Sequence, residues 1–216
     1  MTALAALLLG ALVLLPGGAA QTQDRAGEFD HYLLAVSWVP GLCATQTLRG
    51  DDPRCAPRAG LGWIVHGLWP QHAGGSWPEY CRSPHPNPSH AETARQMDLF
   101  GSTGAAWHQW NKHGRCTGLS AQEYFALTRH AVGRLALPEP GTLPHLPGPV
   151  TPAEIETAIS ALNPLSSPET MITSCRTGVF LEVRLCLTRD LAPRPCDQEL
   201  RARACPARGM RVILRP

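Results

Sequence analysis

Gly178-Val179-Phe180-Leu181-Glu182-Val183-Arg184-Leu185-Cys186-Leu187 is the stretch that decides the fold class of this chain. Aliphatic residues at 183, 185 and 187 alternate with unlike ones at 182, 184 and 186, the period-2 signature of a strand with two different faces. Phe29 to Trp38 is a second β-type apolar run, broken by Pro40-Gly41. Gly60 to Trp69, around Trp63-Ile64-Val65, is a third, and Arg211 to Leu214 predicts a short terminal strand. Helical segments lie between them. Ala91 to Phe100 and Ala105 to His113 have helical composition, with Gly114 placed to close the second. Ser120-Ala121-Gln122-Glu123 is a capping box opening a helix to about Leu135, and Thr151-Pro152-Ala153-Glu154 is another with proline at its first helical position. Gln71 to His90 reads as a loop, as does Leu137 to Val150 with its five prolines. Strands and helices mix without regular βαβ alternation. That predicts an α+β fold, a mainly antiparallel sheet flanked by helices, in one domain without internal repeats.

Met1 to Ala20 has no charged side chain, and its apolar run from Leu4 to Leu15 ends in Pro16-Gly17-Gly18-Ala19-Ala20. The run is shorter than the ~20 residues that span a bilayer. It reads as an export signal cut before Gln21, which makes the mature chain 21–216 secreted or periplasmic, with no membrane anchor; a monomer is expected. Eight cysteines, at 43, 55, 81, 116, 175, 186, 196 and 205, then predict four disulfides. No Cys-x-x-Cys pair points to zinc. The net charge of +2 is too small to hold nucleic acid by bulk electrostatics, so a polyanion must be gripped locally. Of the 19 basic residues, Lys112 alone is lysine, a compact ammonium among planar guanidinium groups.

Reactive side chains concentrate in two places. One is Val65-His66-Gly67-Leu68-Trp69-Pro70, a histidine at the end of the expected strand. The other is Trp107-His108-Gln109-Trp110-Asn111-Lys112-His113-Gly114-Arg115-Cys116. Helical i, i+4 spacing aligns His108 with Lys112 and Gln109 with His113 on one stripe. Trp107, Trp110 and Asn111 fall on another side, where both tryptophans are expected as buried anchors. A zinc protease is rejected, because the histidines are five apart, a lysine intervenes, and Gln109 stands where a His-Glu-x-x-His motif needs its glutamate. Two imidazoles and an ammonium suit RNA cleavage instead. A neutral imidazole takes the proton of the ribose 2′-hydroxyl, a protonated one supplies the departing 5′-oxygen, and lysine balances charge on phosphorus. The 2′-oxygen is the nucleophile, so neither metal nor cofactor is needed and DNA is not a substrate.

At these residues the chain resembles the ribonuclease T2 family of secreted acid endoribonucleases. The likeness rests on His66-Gly-Leu-Trp-Pro70 and Trp107-His-Gln-Trp-x-Lys-His-Gly-x-Cys116. It extends to Phe29-Asp-His-Tyr-Leu-Leu-Ala-Val-Ser-Trp38, Ser120-Ala-Gln-Glu-Tyr-Phe125, Leu181-Glu-Val-Arg-Leu-Cys186 and Pro193-Arg-Pro-Cys196. The resemblance implies single-stranded RNA as substrate and 2′,3′-cyclic phosphates as products, hydrolysed more slowly to 3′-phosphates. It implies His66 as general acid, His113 as general base, His108 on the phosphate and Lys112 stabilising the transition state. The family usually has glutamate where this chain has Gln109, which can hydrogen-bond the phosphate or position Lys112 but carries no charge. In adenine-preferring members an acidic residue often follows the pentapeptide, where this chain has Gln71. Trp77 is the expected stacking partner of the base, with Trp69 supporting the pocket. The implied disulfides are Cys43–Cys55, Cys81–Cys116, Cys175–Cys205 and Cys186–Cys196. Two alternatives remain, a ribonuclease-like domain that binds RNA or protein without cutting, and a disulfide scaffold whose histidines bind metal.

Overall fold

Four strands, His31–Trp38 (β1), Trp63–Gln71 (β2), Met171–Arg176 (β3) and Val179–Leu187 (β4), form one antiparallel sheet in the order β2-β1-β4-β3. The computed structural model describes residues 24–143 and 149–214; the expected export signal and residues 144–148 of the proline-rich loop lie outside them. Pro70 explains part of the order. It sits opposite Tyr32 in β2, and a residue with no N–H belongs on an edge strand, where nothing beyond needs its hydrogen bond.

One sheet face is the main core. Tyr32, Leu34, Val36, Trp38, Val65, Leu68, Phe180, Val183, Leu185 and Leu187 pack there with Trp110, Tyr124, Phe125, Ile155 and Ile159. Those last five come from the helices Thr103–Lys112 (α4), Ala121–Gly133 (α5) and Pro152–Leu162 (α6), after the shorter helices Val39–Ala44 (α1), His90–Ala94 (α2) and Met97–Phe100 (α3). The opposite face carries a smaller cluster of Leu33, Ala35, Trp69, Ile172 and Cys186, covered by Cys196 and by Leu200 of a last short helix, Gln198–Arg201 (α7).

Two bulges disturb the regular pairing. Ala35 faces Gly67 and Val36 faces Val65, which leaves His66 without a partner on β1. Ser174 faces Glu182 and Cys175 faces Phe180, which leaves Leu181 without one on β3. An extra residue shifts the side-chain phase by one, so core positions run Val65 then Leu68, and Phe180 then Val183.

Several expectations need correcting. The second strand runs to Gln71, so His66 is not at its end but at a bulge inside it. Arg211 to Leu214 is not a strand; there Arg211 forms only an isolated bridge, to Val179. The segment 91–100 is two helices, with Arg95 and Gln96 between them. Gly114 does not close α4. The chain continues into a 3-10 turn, Gly114–Thr117, ended by Gly118 in the left-handed conformation (φ +81°). Glycine is needed at 114 for space, since a Cβ there would lie 2.8 Å from Trp110 and Tyr124 ring carbons. Both capping boxes form as read, with Ser120–Glu123 and Thr151–Glu154 bonded in both directions. All four disulfides pair as the resemblance implies.

Candidate active site

On the second face of the sheet, a cleft of about 280 Å³ is lined by His66, Trp69 and Gln71 from β2, and by His108, Gln109, Lys112 and His113 from α4 and its end. Trp77, Arg184 and Arg203 complete its rim. All eight residues expected at the site therefore meet in one place. The bulge turns His66 out of the ladder while Gly67, Trp69 and Gln71 keep the same face.

Gly67 is required there by close approach. A Cβ at this position would overlap the Trp69 Nε1 and Gln109 Oε1 atoms, whose buried hydrogen bond (2.8 Å) joins β2 to α4. The indole N–H donates, so the amide oxygen accepts as a carboxylate oxygen at 109 would. Trp69 also touches both histidines. His66 meets it edge-on with ring centroids 4.9 Å apart, and His113 lies over it at 5.2 Å.

The two imidazoles differ in surroundings. His66 is 47% exposed, and its Nδ1 lies 2.6 Å from Oε2 of Glu182, a carboxylate only 5% exposed. Ser37 donates to the same oxygen (2.7 Å), and Arg184 Nε donates to Oε1 (2.7 Å). Burial alone would raise the Glu182 pKa, but the His66 charge and hydrogen bond, with Arg184, hold it down at about 2. His113 is buried, has no carboxylate partner, and is pushed down to about 3, first by burial and then by the positive charges of Lys112, His66 and His108. Its Nδ1 is enclosed without a hydrogen-bond partner. His108 is likewise lowered, by burial, then Lys112, then His66.

The helical stripe holds for His108, Gln109 and Lys112, whereas His113 is the residue after the helix, its N–H still bonded to the Gln109 carbonyl. Trp110 is the anchor expected, fully buried with its N–H on Asn87. Trp107 is not; it is 43% exposed. At ~100° per residue it lies roughly 60° beyond Trp110, outside the arc that Ala106, Gln109 and Trp110 bury. Gln71 is buried in the cleft wall with its amide nitrogen on the Pro70 carbonyl (2.9 Å). Trp77 is 40% exposed, and the Arg203 guanidinium lies over its ring at 5.3 Å.

Sequence reasoning missed Glu182, Glu79, Arg184 and Arg203. Glu79 joins two expected residues, since its Oε2 lies 3.3 Å from Lys112 Nζ and accepts from the Trp77 indole at 3.3 Å. The available signal for Glu182 and Arg184 was two ionisable residues in the most apolar strand of the chain, a pattern that needs an explanation once the strand is buried on both faces. Among the described residues no group of three or more His, Cys, Asp or Glu side chains is arranged to hold a metal ion, and no helix is long and apolar enough to cross a membrane.

The chain is 36% identical over 125 residues to a ribonuclease of Aeromonas hydrophila, covering 55% of each, and 32% identical over 127 residues to a probable ribonuclease of Haemophilus influenzae, covering 54% of this chain and 47% of that one. The chain thus spans about half the length of the curated relatives it matches. Its fold is similar to that of an RNase-related protein from Calystegia sepium, with TM-score 0.66 and 21% identity over 86% of this chain and 97% of the other. The family model described as Ribonuclease T2 family matches residues 29–196, a span that holds both histidine segments and the strand carrying Glu182, and the chain therefore belongs to the ribonuclease T2 family.

Proposed function

We propose that this chain is a secreted endoribonuclease that cleaves single-stranded RNA by metal-independent transesterification. The observation that carries the reading is the placement of His66 and His113 against Trp69 in one cleft, one imidazole bonded to a carboxylate and the other buried without one. Through Nε2 the neutral His113 takes the proton of the 2′-hydroxyl as O2′ attacks phosphorus. The P–O5′ bond breaks, and His66 supplies the proton that O5′ needs to leave. Lys112 and His108 face the phosphate and stabilise the charge that gathers on its non-bridging oxygens. The 2′,3′-cyclic phosphate is then hydrolysed more slowly, with the two imidazoles exchanging roles. Trp77 offers its indole to the base, a contact worth ~1–3 kcal/mol and tolerant of base identity. Four disulfides suit the oxidising compartment that export would reach.

The test is incubation of the purified chain with homopolymer RNA and with single-stranded DNA in excess EDTA. RNA is expected to yield ends bearing 2′,3′-cyclic phosphate, and DNA, which lacks the nucleophile, to stay intact. Loss of RNA cleavage in EDTA, or cleavage of DNA at a similar rate, overturns the proposal.

Gln109 keeps the acceptor that Trp69 needs but brings no charge to the cleft. A carboxylate there would favour the imidazolium form of His113. Gln109→Glu is therefore expected to move the acidic limb of the kcat/KM profile upward by roughly one pH unit. The same dinucleotide should be used for both proteins. An unmoved limb would mean that position 109 is not electrostatically coupled to His113.

A further inference from the structure

We propose that Glu182 is the positioning residue of this site: its carboxylate holds Nδ1–H of His66 and so turns Nε2 to the cleft as the atom that hands a proton to the departing 5′-oxygen. The inference rests on the reading of His66 as proton donor and adds a group that reading does not contain.

The geometry is unusual for a sheet. His66 and Glu182 belong to β2 and β4, which are not neighbours; β1 lies between them. Adjacent strands are ~4.8 Å apart, so the two backbones stand roughly 10 Å apart. Their side chains can meet only by reaching over β1, and the residues beneath are small: Ser37 pairs directly with Glu182, and Ala35 with Gly67 and Arg184. Each partner also sits at a bulge, His66 as the extra residue of β2 and Glu182 immediately after Leu181, the extra residue of β4. Two independent irregularities thus aim two side chains at one another.

The carboxylate is prepared for an ionised role. A buried charge persists only where donors surround it, and Glu182 receives three, from Ser37, His66 and Arg184. An ionised carboxylate can only accept, so the nitrogen facing it carries the proton. When His66 is neutral, that proton stays on Nδ1 and Nε2 is free to be reprotonated from water; when it is charged, both nitrogens carry protons and Nε2 donates. The other charged groups around His66 are Arg184 on β4, and His108, Lys112 and His113 on and after α4, all positive or potentially so. Arg54, across the adjoining cavity, is already paired with Asp52 at 2.7 Å. Glu182 is therefore the one acidic group that faces this imidazole among the described residues. A purely structural ion pair with Arg184 would need neither Ser37 nor His66.

The experiment uses the full mature chain and Glu182→Gln. A glutamine NH₂ in that position donates to Nδ1, which favours the neutral ring. The His66 midpoint, followed by NMR of the imidazole protons and assigned with His66→Ala, is expected to fall by roughly one pH unit or more. kcat/KM should fall on the order of 10²-fold for a dinucleotide, whose alkoxide must be protonated, and less than about tenfold for a nucleoside 3′-aryl phosphate, whose leaving group needs no proton. Glu182→Asp keeps the charge but shortens the reach to His66; it should fall between the two and serves if Glu182→Gln does not fold. An unmoved midpoint, or equal losses on the two substrates, overturns the proposal. Should the parent chain cut no RNA, it is the ribonuclease reading that fails, and the midpoint alone still decides whether Glu182 sets the protonation of His66.

Discussion

Replacing His113 with alanine is expected to lower kcat/KM on an RNA dinucleotide by ~10²–10⁴-fold, the usual worth of a well-placed general base. No other side chain in the cleft offers an unprotonated nitrogen in the same enclosed position. Burial and neighbouring positive charge keep the free imidazole neutral down to about pH 3, so it is in its proton-accepting form across the acidic range. An incoming phosphate favours the imidazolium, which strengthens the base once RNA is bound. The same burial works against stability in acid. An unfolded chain protonates this histidine at ~6.5 while the folded chain does not, so stability falls as pH drops below ~6.5, by up to about 1.4 kcal/mol per unit, until the folded pKa is reached. His113→Phe, which removes that titration, should be equally inactive, and its stability relative to the parent should improve from pH 7 to pH 4. Denaturant titration at both values, with kinetics at each, checks both halves. Activity within tenfold of the parent would remove His113 from the base role.

The second large effect concerns Cys81–Cys116, whose loop closes 35 residues. Removing both sulfurs with Cys81→Ala and Cys116→Ala should cost ~2–5 kcal/mol of stability. It should also slow catalysis in the folded fraction. The bridge ties the segment after β2 to the turn after α4, next to the Tyr80 N–H on the Lys112 carbonyl and the Glu79 carboxylate beside the Lys112 ammonium. Without it, Lys112 and Trp77 lose a common anchor. Denaturant unfolding followed by kinetics at a temperature where the variant is folded separates the two effects. Unchanged kcat/KM would show the bridge to be a staple only.

What could be read from the sequence was what is local. β1, β2 and β4 showed themselves by alternation or apolar runs, and α5 and α6 by their capping boxes. β3 escaped because Met171-Ile-Thr-Ser-Cys-Arg176 is short and mixes polar with apolar residues. Helix α1 escaped because Pro40-Gly41 reads as a break, although proline in the first turn of a helix forfeits no hydrogen bond. Among site residues, those on one helical turn or within one pentapeptide were visible through spacing. Glu182 was not, because it meets His66 across 116 positions and an intervening strand, a relation no periodicity encodes. The bulge that aims His66 was hidden for a related reason: it exists only in the pairing of two strands.

That bulge constrains how such a site could arise or be rebuilt. At both His66 and Leu181 the frame of the strand is offset by one residue, and no exchange of one amino acid for another produces an offset. A plain four-stranded sheet could acquire these features through a single-codon insertion in each of two strands. Losing either codon would swing every later side chain of that strand to the opposite face. Grafting the pentapeptide alone onto another antiparallel scaffold would copy the letters of the site without the frame that aims them.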